Sequence, residues 1–551
     1  MRASLKRIFL FMLFCCAGSL LYGQIGIGVN PPDPSAMLHV QDTAKGLLIS
    51  RMTAAQRAAI QNPAEGLMVY QTDSPSGFWY FRSGQWVNTF PSNGAGKNTI
   101  LLADSITNAE AQLKIANEAG PNTQEIKILR CSNLTSVDLS VLTNSILQIT
   151  IDGNSVLQNV NLGNLQAIDE DIYVNNCPQL TTLNVSSLAK IGQASSGGKG
   201  INITNTGMQN INFPVVKLVA GQIDIQNNTS LTNINLPQVT YSPSILIMNN
   251  LLLAGISLHA LNRANALLVT SPVLTSTDFS SLTSSNGVTI TGNQLQSISF
   301  PALQSIQDLV ITGPQLATVG LPSLLNGRIQ ITGGSLNAVN FNSLLNPTKL
   351  NITATSGSLS SIGFPALQTV LSGTTNGFSI TGIGNLSFPV LKKVDDFSVT
   401  QLSSISLPLL DTVNTSLSIS SAPSMSVLTF PALKKAGIIS ISGCGMSSIS
   451  FPSLFTVYDI NVNSYLQINY NPNLTSISFP NFVAGTTKYS NLSNNKLSTS
   501  EVNAILAKYR ATPPVVGGDL YLRQNPAAPP TGQGITDKNY LISHGITVDT
   551  D

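Results

Sequence analysis

Charge is what this 551-residue sequence has least of. Lys, Arg, Asp and Glu make up 9% of it, where an ordinary soluble domain has about a quarter. The formal net charge is +2. With no basic stripe the chain lacks the electrostatic footprint of a nucleic-acid binder, so no nucleic-acid partner is expected. Aromatic residues are 6%, with two tryptophans, which leaves few rings for stacking on bases or sugars. The three histidines, His39, His259 and His544, are scattered, and none has a second histidine at metal-ligand spacing. Each is expected to be structural or solvent-facing. Of five cysteines, Cys15 and Cys16 sit near the start and Cys131, Cys177 and Cys444 in the body of the chain. After the first two dozen residues no apolar run is long enough to be a transmembrane helix.

The chain is nonetheless 42% hydrophobic, which rules out a disordered composition. Its polarity comes from Ser, Thr and Asn, side chains that stack in register without repulsion. Residues 1–23 read as a secretory signal: Arg2, Lys6 and Arg7 precede the apolar run Ile8–Phe14, and small residues follow. Cleavage is expected after Gly23, exposing Gln24. A lipoprotein reading of Cys15 or Cys16 lacks the small residue expected just before the cysteine. Three of the 27 basic residues fall in this leader, which leaves 24 against 25 acidic ones in a near-neutral, exported chain. The expected location is secreted or outer cell surface.

From Ile126 a phrase repeats. Ile126, Ile128, Cys131, Leu134, Val137 and Leu139 match Ile172, Val174, Cys177, Leu180, Leu183 and Val185, and again Ile223, Ile225, Asn228, Leu231, Ile234 and Leu236. The last position of the phrase, often followed by proline, anchors sixteen repeats from Leu139 through Phe213, Phe300, Phe364 and Phe451 to Phe479, spaced 19 to 28 residues apart. Each repeat predicts a strand of the form Ile-x-Ile, a corner holding Asn or Cys, a second strand ending at the anchor, and often a third piece such as Pro301–Ile306. One coil cannot bury its apolar face, but stacked coils can. Phe213, Phe300, Phe364 and Phe451 should therefore share one buried column. Cys131 and Cys177 occupy equivalent corners two coils apart, hence about 9–10 Å, beyond the reach of a disulfide. Three free, buried thiols follow.

The expected organisation is a signal peptide (1–23), a small β-rich head (24–90), a Gly/Ser/Asn linker (91–98), an N-terminal helical cap (99–125), a β-solenoid of about 16 coils (126–490) and a C-terminal cap with terminal repeats (491–551). In the head, Leu47/Ile49 and Met68/Tyr70 alternate as short strands, with a helical turn at Thr53–Ile60. Thr107 and Glu110 form a capping box on a helix read as a lid over the first coil. Ser498 and Glu501 form another, before a helix with Val502, Ile505, Leu506 and Tyr509 on one face.

These phrases carry two resemblances. The head, from Ile25-Gly-Ile-Gly-Val through Phe78-Trp-Tyr-Phe to Trp86, resembles the N-terminal module of exported Bacteroidetes proteins and the head of tail-fibre-like proteins. That likeness implies a surface location and self-association into a homo-oligomer. The repeat from Ile126 to Phe479 resembles leucine-rich repeats, in particular the receptor L-domain variety, which implies a mainly β, right-handed solenoid. Proline after the anchor leaves little room for the helix of the ordinary leucine-rich repeat.

Searches for chemistry find no catalytic, cofactor-binding or metal-binding set. Gly197-Gly-Lys-Gly200 resembles a phosphate loop, but Gly200 stands where the hydroxyl residue belongs; it reads as a polar insertion. Asp169-Glu-Asp171 and Asp395-Asp396 read as turns before strands rather than calcium ligands. The residue before each anchor, from Asp138, Asn161 and Asn184 to Ser450 and Ser478, forms a row of small polar groups without an aromatic. Two functions of different class remain. One is a non-enzymatic recognition or adhesion protein with a protein or cell-surface glycan ligand. The other is a β-helix carbohydrate-active enzyme, which needs clustered carboxylates that do not recur here. The first is expected, with a passive surface-layer component as a third reading.

Overall fold

The computed structural model describes residues 23–73, 76–88, 96–193, 200–356, 359, 362–373, 377–382, 384–458 and 464–551. Leader residues 1–22, the linker's 91–95 and residues 197–199 of the glycine-rich insertion lie outside them. The chain divides into two compact units, Met1–Asn93 and Gly94–Asp551.

The second unit is a mainly β solenoid of about 19 turns. In each turn the Ile-x-Ile strand alternates: Leu309 and Ile311 are fully buried, while Val310 and Thr312 face outward. The pairings between successive coils are parallel, and the Ile-x-Ile positions stay in register, for example Val288↔Leu309↔Ile329 and Ile290↔Ile311↔Ile331, while three pairings shift register just before them. These strands form one 26-stranded sheet, and the short strands before the anchors form five smaller sheets of three or four strands. The anchors stack as expected. Phe213, Phe300, Phe364 and Phe451 are at most 1% exposed, and ring centroids of neighbouring coils lie 5.7 Å apart for Phe279–Phe300, 4.9 Å for Phe364–Phe388 and 5.0 Å for Phe430–Phe451.

Two local devices turn the chain. Where a proline follows the anchor it sits at the second position of a tight turn, where its fixed φ fits: the Leu303 amide donates to the Phe300 carbonyl at 3.3 Å across Pro301. At the corner the residue before the Asn/Cys slot is left-handed, as in Asn176, Asn205, Asn227, Asn249 and Asn494, with φ between 51° and 58°; asparagine tolerates this region better than other non-glycine residues. The next asparagine turns inward. Asn228 Oδ1 accepts from the amide and hydroxyl of Thr206 (3.0 and 2.6 Å), and its Nδ2 donates to the Ile203 and Gln226 carbonyls (2.9 and 3.0 Å). It thus satisfies backbone groups of two coils in a dry interior, where an unmade bond costs about 1–3 kcal/mol. In the middle coils this slot holds Ser271, Gly292, Gly313, Gly333 and Ala354 instead.

Three expectations need correction. The sixteen anchors undercount the stack, because one strand before them (Thr99–Ala103) and three after them (Tyr489–Asn491, Asp519–Tyr521, Thr547–Asp549) pair in the same sheet without the anchor phrase. The segment 99–125 is not a lid. Thr99–Ala103 pairs in register with Glu125–Leu129, and the helix Asn108–Glu118 is the return leg of that first turn, with Ala111 and Ile115 in the common core. Thirdly, Leu47–Ile49 forms no strand; Leu47 and Leu48 are 63% and 79% exposed.

At the other end the helix Thr499–Ala511 buries Val502, Ile505, Leu506 and Tyr509. Its cap is half the expected box: the Ser498 hydroxyl accepts from the Glu501 amide at 3.3 Å, whereas at Thr107/Glu110 both reciprocal bonds form. Arg510 ties this helix to the helix Gln533–Ser543 through Asp537 at 2.6 Å. Burial pushes the Asp537 carboxyl up, but the bonds from Arg510 and Gln533 outweigh it and hold the group below its ordinary value.

In the first unit, Ile25–Ile27 pairs in parallel with Leu38–Val40, and Met68–Gln71, Gly77–Arg82 and Gln85–Asn88 form an antiparallel meander that Arg51–Met52 joins. Arg57, on the helix Ala54–Ala58, lies 3.8 Å over the Trp79 ring and donates to the buried Gln71 at 2.8 Å.

Candidate recognition surfaces

The row before the anchors faces outward, as the alternation requires, but its amides are engaged by one another. Asn161 donates to Asp138 at 2.8 Å, Asn184 to Asn161 at 2.7 Å and Asn235 to Asn212 at 2.9 Å. The bond from the Ser140 amide leads those that hold the Asp138 carboxyl below its ordinary value. This part of the row is a ladder that sets register between coils.

Between the strands Ser276–Asp278 and Ser297–Ser299 the small sheets are interrupted, and a shallow depression of about 560 Å³ lies over the break. Thr277 occupies the position that Ile256 and Ile298 take in the neighbouring coils, and its Oγ1 is buried without a hydrogen-bond partner. Around it stand Asp278, Ser297, Ser299, Thr318 and Asn340. One carboxylate among hydroxyls gives a surface that can hydrogen-bond but not the acid–base pair that glycosidic cleavage needs.

The residues singled out for chemistry fall apart in space. The ring of His39, in the strand Leu38–Val40, accepts from the Asp33 amide at 3.0 Å. His259 is exposed in the turn after an anchor. His544 ends the last helix against Tyr540, with ring centroids 4.0 Å apart. Asp169–Asp171 is the expected connection before the strand Ile172–Cys177. Asp395 and Asp396 lie inside the strand Lys393–Thr400 rather than in a turn; a register shift against the neighbouring strand, between Val394 and Asp396, accommodates them. Asp395 accepts from Asn414 and from the Gly373 amide. Among the described residues no three His, Cys, Asp or Glu side chains cluster as metal ligands would.

The three thiols are free and buried. Asn154 stands between Cys131 and Cys177, bonded to the Cys131 amide at 2.8 Å and 3.8 Å from the Cys177 sulfur, so the two cysteines are two coils apart. Burial pushes Cys131 and Cys444 up to about 11 and raises Cys177 as well. Because the thiolate is the nucleophile, a maleimide added to the folded protein at pH 8 is expected to leave all three unmodified. Unfolding in guanidinium should make all three react, and mass spectrometry of the digested protein reads the outcome. Labelling of any one in the folded state would contradict its burial.

The head carries an apolar surface that agrees with the self-association its resemblance implies. Among its described residues Val69 is the one buried hydrophobic side chain. Ile25, Ile27, Met37, Leu38, Leu47 and Leu48 are 50–79% exposed. Scattered apolar exposure is ordinary, but so much of it on so small a unit marks an association surface. No curated protein and no solved structure matches the chain. Residues 26–101, however, match the family model of a phage tail like trimerisation region, so this chain joins such a region to a β-solenoid, a combination that fits a structural or recognition protein.

Proposed function

We propose that this is an exported, non-enzymatic recognition or adhesion protein. Its head assembles three copies, and its solenoid, of the leucine-rich-repeat, receptor L-domain-like kind found on Bacteroidetes-type surface proteins, displays the binding faces. The observation that carries this is a trimerisation-type head with one buried hydrophobic side chain among its described residues, in one chain with a solenoid whose described residues hold no cluster of three His, Cys, Asp or Glu. Side chains held by stacked coils form a rigid surface, and presenting it in several copies multiplies weak contacts into avidity. The test is to incubate the purified full chain with acidic and neutral polysaccharides and with intact cells. Retention on the cell surface without new reducing ends or unsaturated products is expected. Steady bond cleavage would replace this reading with that of a carbohydrate-active enzyme. Regular two-dimensional arrays with no retained ligand would replace it with a passive layer.

A further inference from the structure

In its later coils the solenoid gathers lysines on one face. Along the start of the long strands a column of residues is hydrogen-bonded backbone to backbone from coil to coil. It runs Thr283, Gln304, Leu325, Leu345 and Gln368, all uncharged, and then Lys392, Asp411, Lys434 and Phe455. The next column runs Lys393, Thr412, Lys435 and Thr456. Two lysine pairs therefore stand two coils apart, at about 10 Å from the strand spacing. Lys392, Lys434 and Lys435 are exposed and Lys393 is half-buried. Among the described residues no carboxylate forms an ion pair with any of the four. Beside them is an open cavity of about 680 Å³, lined by Lys434, Lys435, Ser453, Phe455, Thr456 and Asn481. Phe455 is 57% exposed and is the one phenylalanine among the described residues left in water.

We propose that this face, from Lys392 to Phe455, binds a linear acidic polysaccharide, with the lysines on its carboxylates or sulfates and a sugar ring against Phe455. Asp411 stands between the two pairs and offsets one of their four charges, so these two columns keep a net positive charge that an anionic ligand neutralises. Nucleic-acid duplex carries a charge about every 1.7 Å, so packed phosphates would meet Asp411 between the lysine pairs more closely than the sparser charges of a sugar chain. Charges set widely along a sugar chain suit it better. Lysine, a point charge on a flexible stem, meets such groups without the fixed geometry an arginine imposes. The exposed ring offers an apolar face to the C–H side of a sugar. Asn481 donates to the Pro452 carbonyl at 2.7 Å, which leaves its Oδ1 for a sugar hydroxyl.

The proposal gives a ligand class to the recognition reading and rests on it. Calorimetry of the full chain with a galacturonate hexamer, and with the same hexamer methyl-esterified, tests it. Binding is expected only to the charged hexamer, weakening as salt is added. It should fall at least tenfold in Lys392→Gln/Lys434→Gln and in Phe455→Ala, all surface changes that leave the circular dichroism spectrum intact. Equal binding of the esterified hexamer, indifference to the lysine substitutions, or tighter binding to duplex DNA or to phosphatidylglycerol vesicles would each overturn it. If cells still retain the trimer when the hexamer does not bind, this site fails while the recognition reading stands.

Discussion

In sedimentation velocity the full chain is expected to run as a trimer, and the Leu47→Asp/Leu48→Asp variant as a monomer. The two leucines are 63% and 79% exposed on a unit with a single buried hydrophobic side chain among its described residues. Burying a leucine is worth about 1.5–3 kcal/mol, so six of them across three copies contribute roughly 9–18 kcal/mol if all are covered. An aspartate in the same place removes that gain and adds a charge that burial would penalise further. Because the solenoid is a separate compact unit, its β-sheet signal and melting transition should survive the substitution, which distinguishes lost assembly from lost folding. A wild-type chain that stays monomeric up to its solubility limit would remove the assembly reading.

The second large effect is in the core. Phe388 lies 4.9 Å from Phe364, 5.6 Å from Phe378 and 5.8 Å from Phe397, and is fully buried. Phe388→Ala empties a site shared by three rings that the stacked backbones cannot close, and is expected to cost about 3–5 kcal/mol. Each coil touches only its neighbours, so the damage should appear as protease cleavage near residues 378–400 before the rest of the stack unfolds. Phe455→Ala is the control: that ring is 57% exposed, and its loss should change stability by no more than about 0.5 kcal/mol. Equal destabilisation by the two would contradict the division into buried and exposed phenylalanines.

Much of the solenoid was legible because its repeat is written in residues that stacking makes indispensable. Ile223 and Ile225 alternate because one face is dry, and Phe300-Pro301 marks both an anchor and the turn that follows it. The terminal repeats expected in 491–551 lie outside the anchor count because their neighbours differ. Tyr489–Asn491 and Asp519–Tyr521 have helices rather than short strands on their return legs, so no anchor phrase precedes or follows them. The left-handed corner was also visible, in the doublets Asn227-Asn228, Asn249-Asn250 and Asn494-Asn495. One asparagine bends the chain and the next is buried, and a reading that assigned one role to the slot saw only the second. The lysine face is not legible in the sequence because Leu391-Lys-Lys-Val and Leu433-Lys-Lys-Ala lie far apart along the chain; only the register places one two coils above the other. The head resisted for a different reason. Leu47 and Leu48 look like strand residues, but they pair in no strand and stay 63% and 79% exposed.

The unshifted register from Arg263–Ser271 through Ser284–Gly292 to Ser305–Gly313 has a metric consequence. Val288 and Leu309, or Thr291 and Thr312, are the same position one winding on, so removing the 21 residues between them should rejoin two surfaces already made for each other. Each such excision would shorten the rod by about 4.8 Å without creating a new kind of junction. The number of windings is thus a gauge that can be lengthened or cut in fixed steps, and with it the distance between any two patches along the rod.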